Sequence, residues 1–155
     1  MRGKQAKKRG IKPDRKYDSV LVSKLINKVM IGGKKKVAQT IVYKAIEDVA
    51  KQLNETPMVA LERAITNVKP VVEVRARRVG GSNYQIPVPV PANRQISLAI
   101  RWLVEIARAK KGGKFGDFLK NELVQAYKNG GEAVKKRENV EKMAEANRAF
   151  AHFRW

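Results

Sequence analysis

The chain has 155 residues, 34 of them Lys or Arg and 14 Asp or Glu, for a formal charge of +20, with 43% hydrophobic residues and no cysteine. That length suits one ordinary domain, which buries about 68–70% of its unfolded surface, and the apolar content excludes a disordered polyelectrolyte. The missing cysteines exclude a disulfide framework and thiolate metal sites, and the lack of any bilayer-length apolar run or secretory signal predicts a soluble cytosolic protein with no membrane contact.

Residues 1–16 hold eight basic residues and one acid, Asp14, and with Gly3, Gly10 and Pro13 they lack apolar periodicity. Residues 1–17 therefore read as a flexible basic arm, and 18–155 as a single domain. Ser19 is a candidate N-cap, followed by Leu21, Val22, Leu25, Ile26 and Val29 on one helical face and a break at Gly32-Gly33. Val37, Ala38, Ile41, Val42, Ala45, Ile46, Val49 and Leu53 predict a second helix with a buried stripe. Thr56-Pro57 starts a third, with Met58, Leu61, Ile65 and Val68 inward and Pro70 as its stop. A fourth is predicted from about Asn93 to Lys111, apolar almost all round and hence central. A fifth carries Phe115, Phe118, Leu119, Leu123, Ala126 and Tyr127. The sixth runs from about Glu132 to Phe150 with a thin inner stripe of Val140, Met143 and Ala144.

Between the third and fourth helices lies "VEVRARRVGGSNYQIPVPVP", residues 72–91. Pro87, Pro89 and Pro91 share one strand parity, so their missing N–H donors fall on a single edge. The other edge can pair with residues 71–79 through a turn at Gly80-Gly81-Ser82-Asn83, making a two-stranded arm over about 71–91. Arg75, Arg77 and Arg78 then fall two on one face and one on the other, as suits a finger surrounded by polyanion. The expected fold is mainly α: about six helices and one protruding β-hairpin.

The charge is placed rather than smeared, since residues 41–67 carry three basic and four acidic residues. Nucleic acid is the usual partner of so basic a soluble chain. The candidate contacts are Arg2, Lys4, Lys7, Lys8, Arg9, Lys12, Arg15 and Lys16 in the arm and Lys34, Lys35 and Lys36 after the first Gly-Gly turn. Lys110, Lys111 and Lys114 around the second Gly-Gly turn form a similar group, and Arg94 on the fourth helix and Arg148 on the sixth are further candidates. The C-terminal tail, about 150–155, adds Arg154 and Trp155, and its aromatics suit either stacking on bases or capping the core. His152 is the only histidine, which leaves no material for a histidine metal site or triad. The acids occupy helix-surface positions typical of i,i+4 partners, so no catalytic residue, metal or cofactor is assigned.

Four blocks in order, "GGKKKVAQTIVYKA", "NVKPVVEVRARRVGGSNYQIPV", "LAIRWLVEIARAKKG" and "AVKKRENVEKMAEANRAFAHFRW", resemble the seventh protein of the small ribosomal subunit, the S-seven family. The resemblance implies a helical domain with a hairpin arm that binds the 3′ major domain of small-subunit ribosomal RNA and nucleates assembly of the subunit head. It also implies a place near the exit site, beside messenger and transfer RNA and the neighbouring S-eleven protein, and a monomer when free. By matching position it adds Lys135, Lys136 and Arg137 of the last helix to the RNA contacts. The chain departs from the family pattern at Gln95 and at Glu141-Lys142. The competing reading is an architectural DNA-binding protein with a basic ribbon, which would want an apolar or proline wedge where this tip has Gly-Gly-Ser-Asn.

Overall fold

The computed structural model describes Gly3 and residues 10–153. In chain order these form α1 (Val20–Val29), α2 (Lys35–Leu53), α3 (Pro57–Val68), β1 (Val72–Val79), β2 (Ser82–Pro89), α4 (Ala92–Ala109), α5 (Phe115–Tyr127) and α6 (Gly131–Ala146), closed by a 3-10 helix (Arg148–Phe153). The predicted class, six helices and one antiparallel hairpin, is what forms. Among the described residues no helix is long and apolar enough to cross a membrane.

The helices begin and end for local reasons. Ser19 Oγ accepts the Leu21 N–H and opens α1, while Pro57 occupies the first turn of α3, where its missing donor costs nothing. At the end of α5, Asn129 takes the left-handed conformation and the Gly130 N–H reaches back to the Gln125 carbonyl at 2.9 Å.

The centre belongs to α5, which packs against α2, α3, α4 and α6 and buries Leu119, Leu123, Val124 and Ala126 completely or nearly so. The expectation of a fourth helix apolar almost all round needs correction. Its inner face buries Leu98, Ala99, Trp102, Leu103, Val104 and Ala107, but Arg94, Ser97, Arg101, Glu105 and Arg108 form an exposed stripe. Their three-and-four spacing keeps them on one side of the helix. Nor does Val37 belong to the buried stripe of α2, being 57% exposed. In α6 the buried residues are Ala133, Val134 and Ala144, whereas Met143 faces out.

The ribbon pairs along its full length, and Ser82 and Asn83, expected in the turn, belong to β2, so the turn itself is Gly80-Gly81. Val74 faces Pro87 and Val72 faces Pro89, while Glu73, Arg75 and Arg77 face Val88, Ile86 and Tyr84. The Val90 N–H bonds to the Val71 carbonyl, so the paired edge is the one without proline. Gly80 and Gly81 have φ of 58° and 88°, the two successive positive angles of a tight hairpin turn, which glycine adopts without strain. A lone hairpin is marginal in water. This one is supported by α6 and the 3-10 helix: Ile86 is buried, and the Tyr84 and Phe150 rings lie 5.1 Å apart. The C-terminal aromatic Phe150 thus caps the ribbon.

Part of the expected flexible arm is docked. Asp14 is only 5% exposed; its carboxylate accepts the Tyr43 hydroxyl at 2.6 Å and the Lys16 and Tyr17 N–H groups. Ser23 Oγ donates to the Lys12 carbonyl, and Lys16 pairs with Glu47 of α2. Residues from Lys12 to Tyr17 are therefore a clasp across α1 and α2, because a short acid in the basic run found a phenol and two backbone donors. Burial pushes the Asp14 carboxyl up, but the Tyr43 hydroxyl and the N–H groups of Lys16, Tyr17 and Arg15 outweigh it and hold it below its ordinary value. A depressed folded value means stability that is present above the unfolded value and lost as pH falls through the folded one. Asp14→Asn should thus lower the melting temperature at pH 7, and the gap from the parent should narrow as pH falls below about 4. Melting curves at pH 7 and pH 3 check this; a gap independent of pH would mean that the carboxylate charge does not hold the clasp.

Candidate nucleic-acid interface

The basic residues converge because of how α1, α2 and α4 cross. One groove is lined by Lys24, Asn27 and Lys28 of α1 with Ser97 and Arg101 of α4, and Ile11 closes its end. Ile11 and Asn27 also line the next groove, where Lys12 and Arg15 of the clasp meet Lys35 and Gln39 of α2. Arg15, Lys35 and Gln39 continue into a third, with Lys16 and Tyr43. Across these grooves the only carboxylate is Asp14, already held by the clasp. The result is a continuous cationic face with amide side chains set among the charges, suited to phosphate contacts without a fixed base code.

Lys34, Lys35 and Lys36 are all exposed at the entrance to α2, with Lys34 as an N-cap that makes no side-chain hydrogen bond. Cations oppose the positive end of a helix dipole, so their placement is unfavourable until an anion arrives. Lys111 and Lys114 are likewise exposed on the turn into α5. Lys110, in contrast, reaches Glu122 at 2.9 Å, so this candidate also serves the core.

On the ribbon, Arg75, Arg77 and Arg78 are exposed, Arg75 and Arg77 on the face of Glu73 and Arg78 on the opposite face. Glu73 is a buried carboxylate that sequence reasoning passed over. It pairs with Arg75 at 2.5 Å and with Arg94 of α4 at 2.8 Å, locking the root of the ribbon to the helical body. Burial pushes the Glu73 carboxyl up, but Arg94 and Arg75 overcome this and hold it below the ordinary range. Both guanidiniums remain half exposed, so they are oriented rather than removed from the face. Gln95, at one departure from the family pattern, donates its amide to the Val90 carbonyl at the same junction.

The last helix divides its candidates. Lys135 is exposed, as is Arg148 beyond its end. Lys136 lies over the Trp102 ring at 5.9 Å and 3.6 Å from Glu105. Arg137 turns inward: Nη1 donates to the Asn67 carbonyl at the end of α3, and Glu141 approaches Nε at 3.7 Å. It ties α6 to α3, because a guanidinium can satisfy a carbonyl at a helix end. Arg2, Lys4, Lys7, Lys8, Arg9, Arg154 and Trp155 lie outside the described residues.

Four cations of the face escaped the sequence reading: Lys24, Lys28, Arg101 and Arg108. The signal for two of them was available, since Arg94, Arg101 and Arg108 recur every seven residues and so share a side of α4.

A family model described as ribosomal protein S7p/S5e matches residues 1–148. The chain belongs to the ribosomal protein S7p/S5e family. Membership makes it a ribosomal protein with a structural, non-catalytic role, in agreement with the sequence reading. It is 57% identical over the full length of both chains to the small ribosomal subunit protein uS7 of Thermosipho melanesiensis, and equally to that of Petrotoga mobilis. The corresponding protein of a Sulfurihydrogenibium species is 56% identical over 96% of each chain. The S7p/S5e match covers the clasp, both Gly-Gly turns, the ribbon and α6, so every part of the cationic face lies within it.

Proposed function

We propose that this S7p/S5e protein is a constituent of the small ribosomal subunit that binds its RNA through the face built from the clasp, the α1–α4 groove, the two Gly-Gly turns and the ribbon. The observation that carries the reading is the continuity of the part of that face along the clasp, α1, α2 and α4, where Asp14 is the only acid lining the three joined grooves. Lys and Arg there displace counterions from phosphates, while the fixed spacing of helices and ribbon reads the shape of a folded RNA. Family kinship points to the 3′ major domain as the target and to nucleation of the subunit head as the role. It further points to a position near the exit site, beside messenger and transfer RNA and the S-eleven protein. The ribbon supports that position, since it carries exposed arginines on both of its faces, Arg75 and Arg77 on one and Arg78 on the other.

Competition tests the reading. Labelled 3′-domain RNA bound to the full chain at physiological salt should survive an excess of unrelated structured RNA and of duplex DNA. Equal displacement by any polyanion would reduce the face to nonspecific charge, and selective displacement by duplex DNA would favour the architectural DNA reading.

A further inference from the structure

Between the two Gly-Gly turns lies a cavity of about 340 Å³ that differs in kind from the grooves of the cationic face. Its wall is apolar: Val29 and Ala38 at the base, Val37 and Ile41 along α2, Phe115 and Phe118 from α5. Its charged lining consists of Lys34, Arg108 and Lys110, with no acid. Arg108 is fixed there, donating to the Lys28 and Val29 carbonyls at 3.1 and 2.9 Å and lying 6.0 Å from the Phe115 ring. Ile31 and Val37 are 68% and 57% exposed beside it, an unusual cost next to so many lysines.

The geometry points to this cavity as a site for one unstacked nucleobase, with the flanking phosphates held by the lysines of the two turns. The inference rests on the RNA-binding reading and adds to it a pocket for a base where the rest of the face meets the backbone. The volume is at the small end of ligand pockets, roughly 300–1,000 Å³, and suits a single ring system. Aromatic walls accept any base face, and single-stranded or looped RNA offers bases free to leave the stack. Charge complementarity selects this occupant. A partner protein's apolar side chain would fit the wall, but its backbone would bring no charge to match Lys34 and Arg108 (Lys110 already has Glu122), whereas a nucleotide brings apolar ring and anion together.

The test uses the full chain with labelled methyl groups, hexa-adenylate and an abasic oligonucleotide of the same length and charge. Binding of 3′-domain RNA is measured first on the same preparation. Hexa-adenylate should shift the Ile31, Val37 and Ile41 methyl signals and bind roughly 5- to 150-fold more tightly than the abasic chain. Phe115→Leu, which keeps an apolar wall without the ring, should remove most of that advantage. Val37→Ser, at an exposed position, gives a second variant should Phe115→Leu destabilise the fold. If the domain RNA binds but both oligonucleotides bind alike, or the cavity signals stay still, the base pocket is wrong while the RNA reading stands. If cavity signals move only with an apolar acidic peptide, the site docks protein and the inference falls. If the domain RNA does not bind, both readings fall.

Discussion

Replacing Glu122 by alanine should lower the melting temperature by roughly 6–12 °C, the equivalent of about 3 kcal/mol in a chain of this size. Glu122 sits in the middle of α5 and is 1% exposed, a position its helical neighbours Leu119, Leu123 and Ala126 would assign to an apolar residue. One oxygen accepts the Ala133 N–H at 2.9 Å in the first turn of α6, and the other meets Lys110 at 2.9 Å beyond α4. The carboxylate thus ties three helices, doing for α6 the capping that its own N-cap, Gly130, cannot do. Removing it strands a buried N–H and an ammonium together. The figure is set at the low end for a broken buried pair because the Lys110 side chain is a third exposed. Gly131 belongs to the same arrangement: its φ is +85°, and a Cβ there would lie 2.9 Å from the Glu122 oxygen. Thermal unfolding followed by circular dichroism checks the prediction. A loss under about 2 °C, well below the shift expected for a broken buried pair, would show that Lys110 and the α6 N–H find water instead, and that the core does not depend on this carboxylate.

The second large effect is on binding rather than stability. Lys34, Lys35 and Lys36 replaced together by alanine should flatten the slope of log affinity against log salt by up to about three, roughly one for each phosphate left without its lysine. The melting temperature should hold or rise slightly, because each exposed cation at the positive end of a helix costs about 0.3–1 kcal/mol at low salt. Filter binding of 3′-domain RNA from about 50 to 300 mM salt, with a melting curve of the same preparation, separates the outcomes. An unchanged slope would take this turn out of the interface. A large fall in melting temperature would mean that the lysines hold the start of α2.

The hairpin was legible because proline parity is a local constraint: Pro87, Pro89 and Pro91 can leave only one edge to pair, whatever else the chain does. The helix starts at Ser19 and Pro57 were legible for a similar reason, each depending on a few adjacent backbone groups. The clasp was not. Asp14 reads as an isolated acid in a basic run, and only the approach of Tyr43, 29 residues later, gives its carboxylate a role. Glu73 is a comparable case, since its second partner, Arg94, lies 21 residues away on another element.

What the sequence alone determined was the class of elements, their order, the edge of the ribbon that pairs and the sign of the partner. These follow from periodicity, turn residues and net charge, all of which act within a few residues or over the whole chain. The tertiary structure decided which cations serve the surface and which serve the fold. Lys110 and Arg137 look like any other basic residue in the chain, yet Glu122 and the Asn67 carbonyl claim them. Lys24, Lys28 and Arg101 became one groove only when α1 and α4 crossed. A buried acceptor without a partner costs far more than an exposed cation gains in water, so helix packing settles each of these assignments.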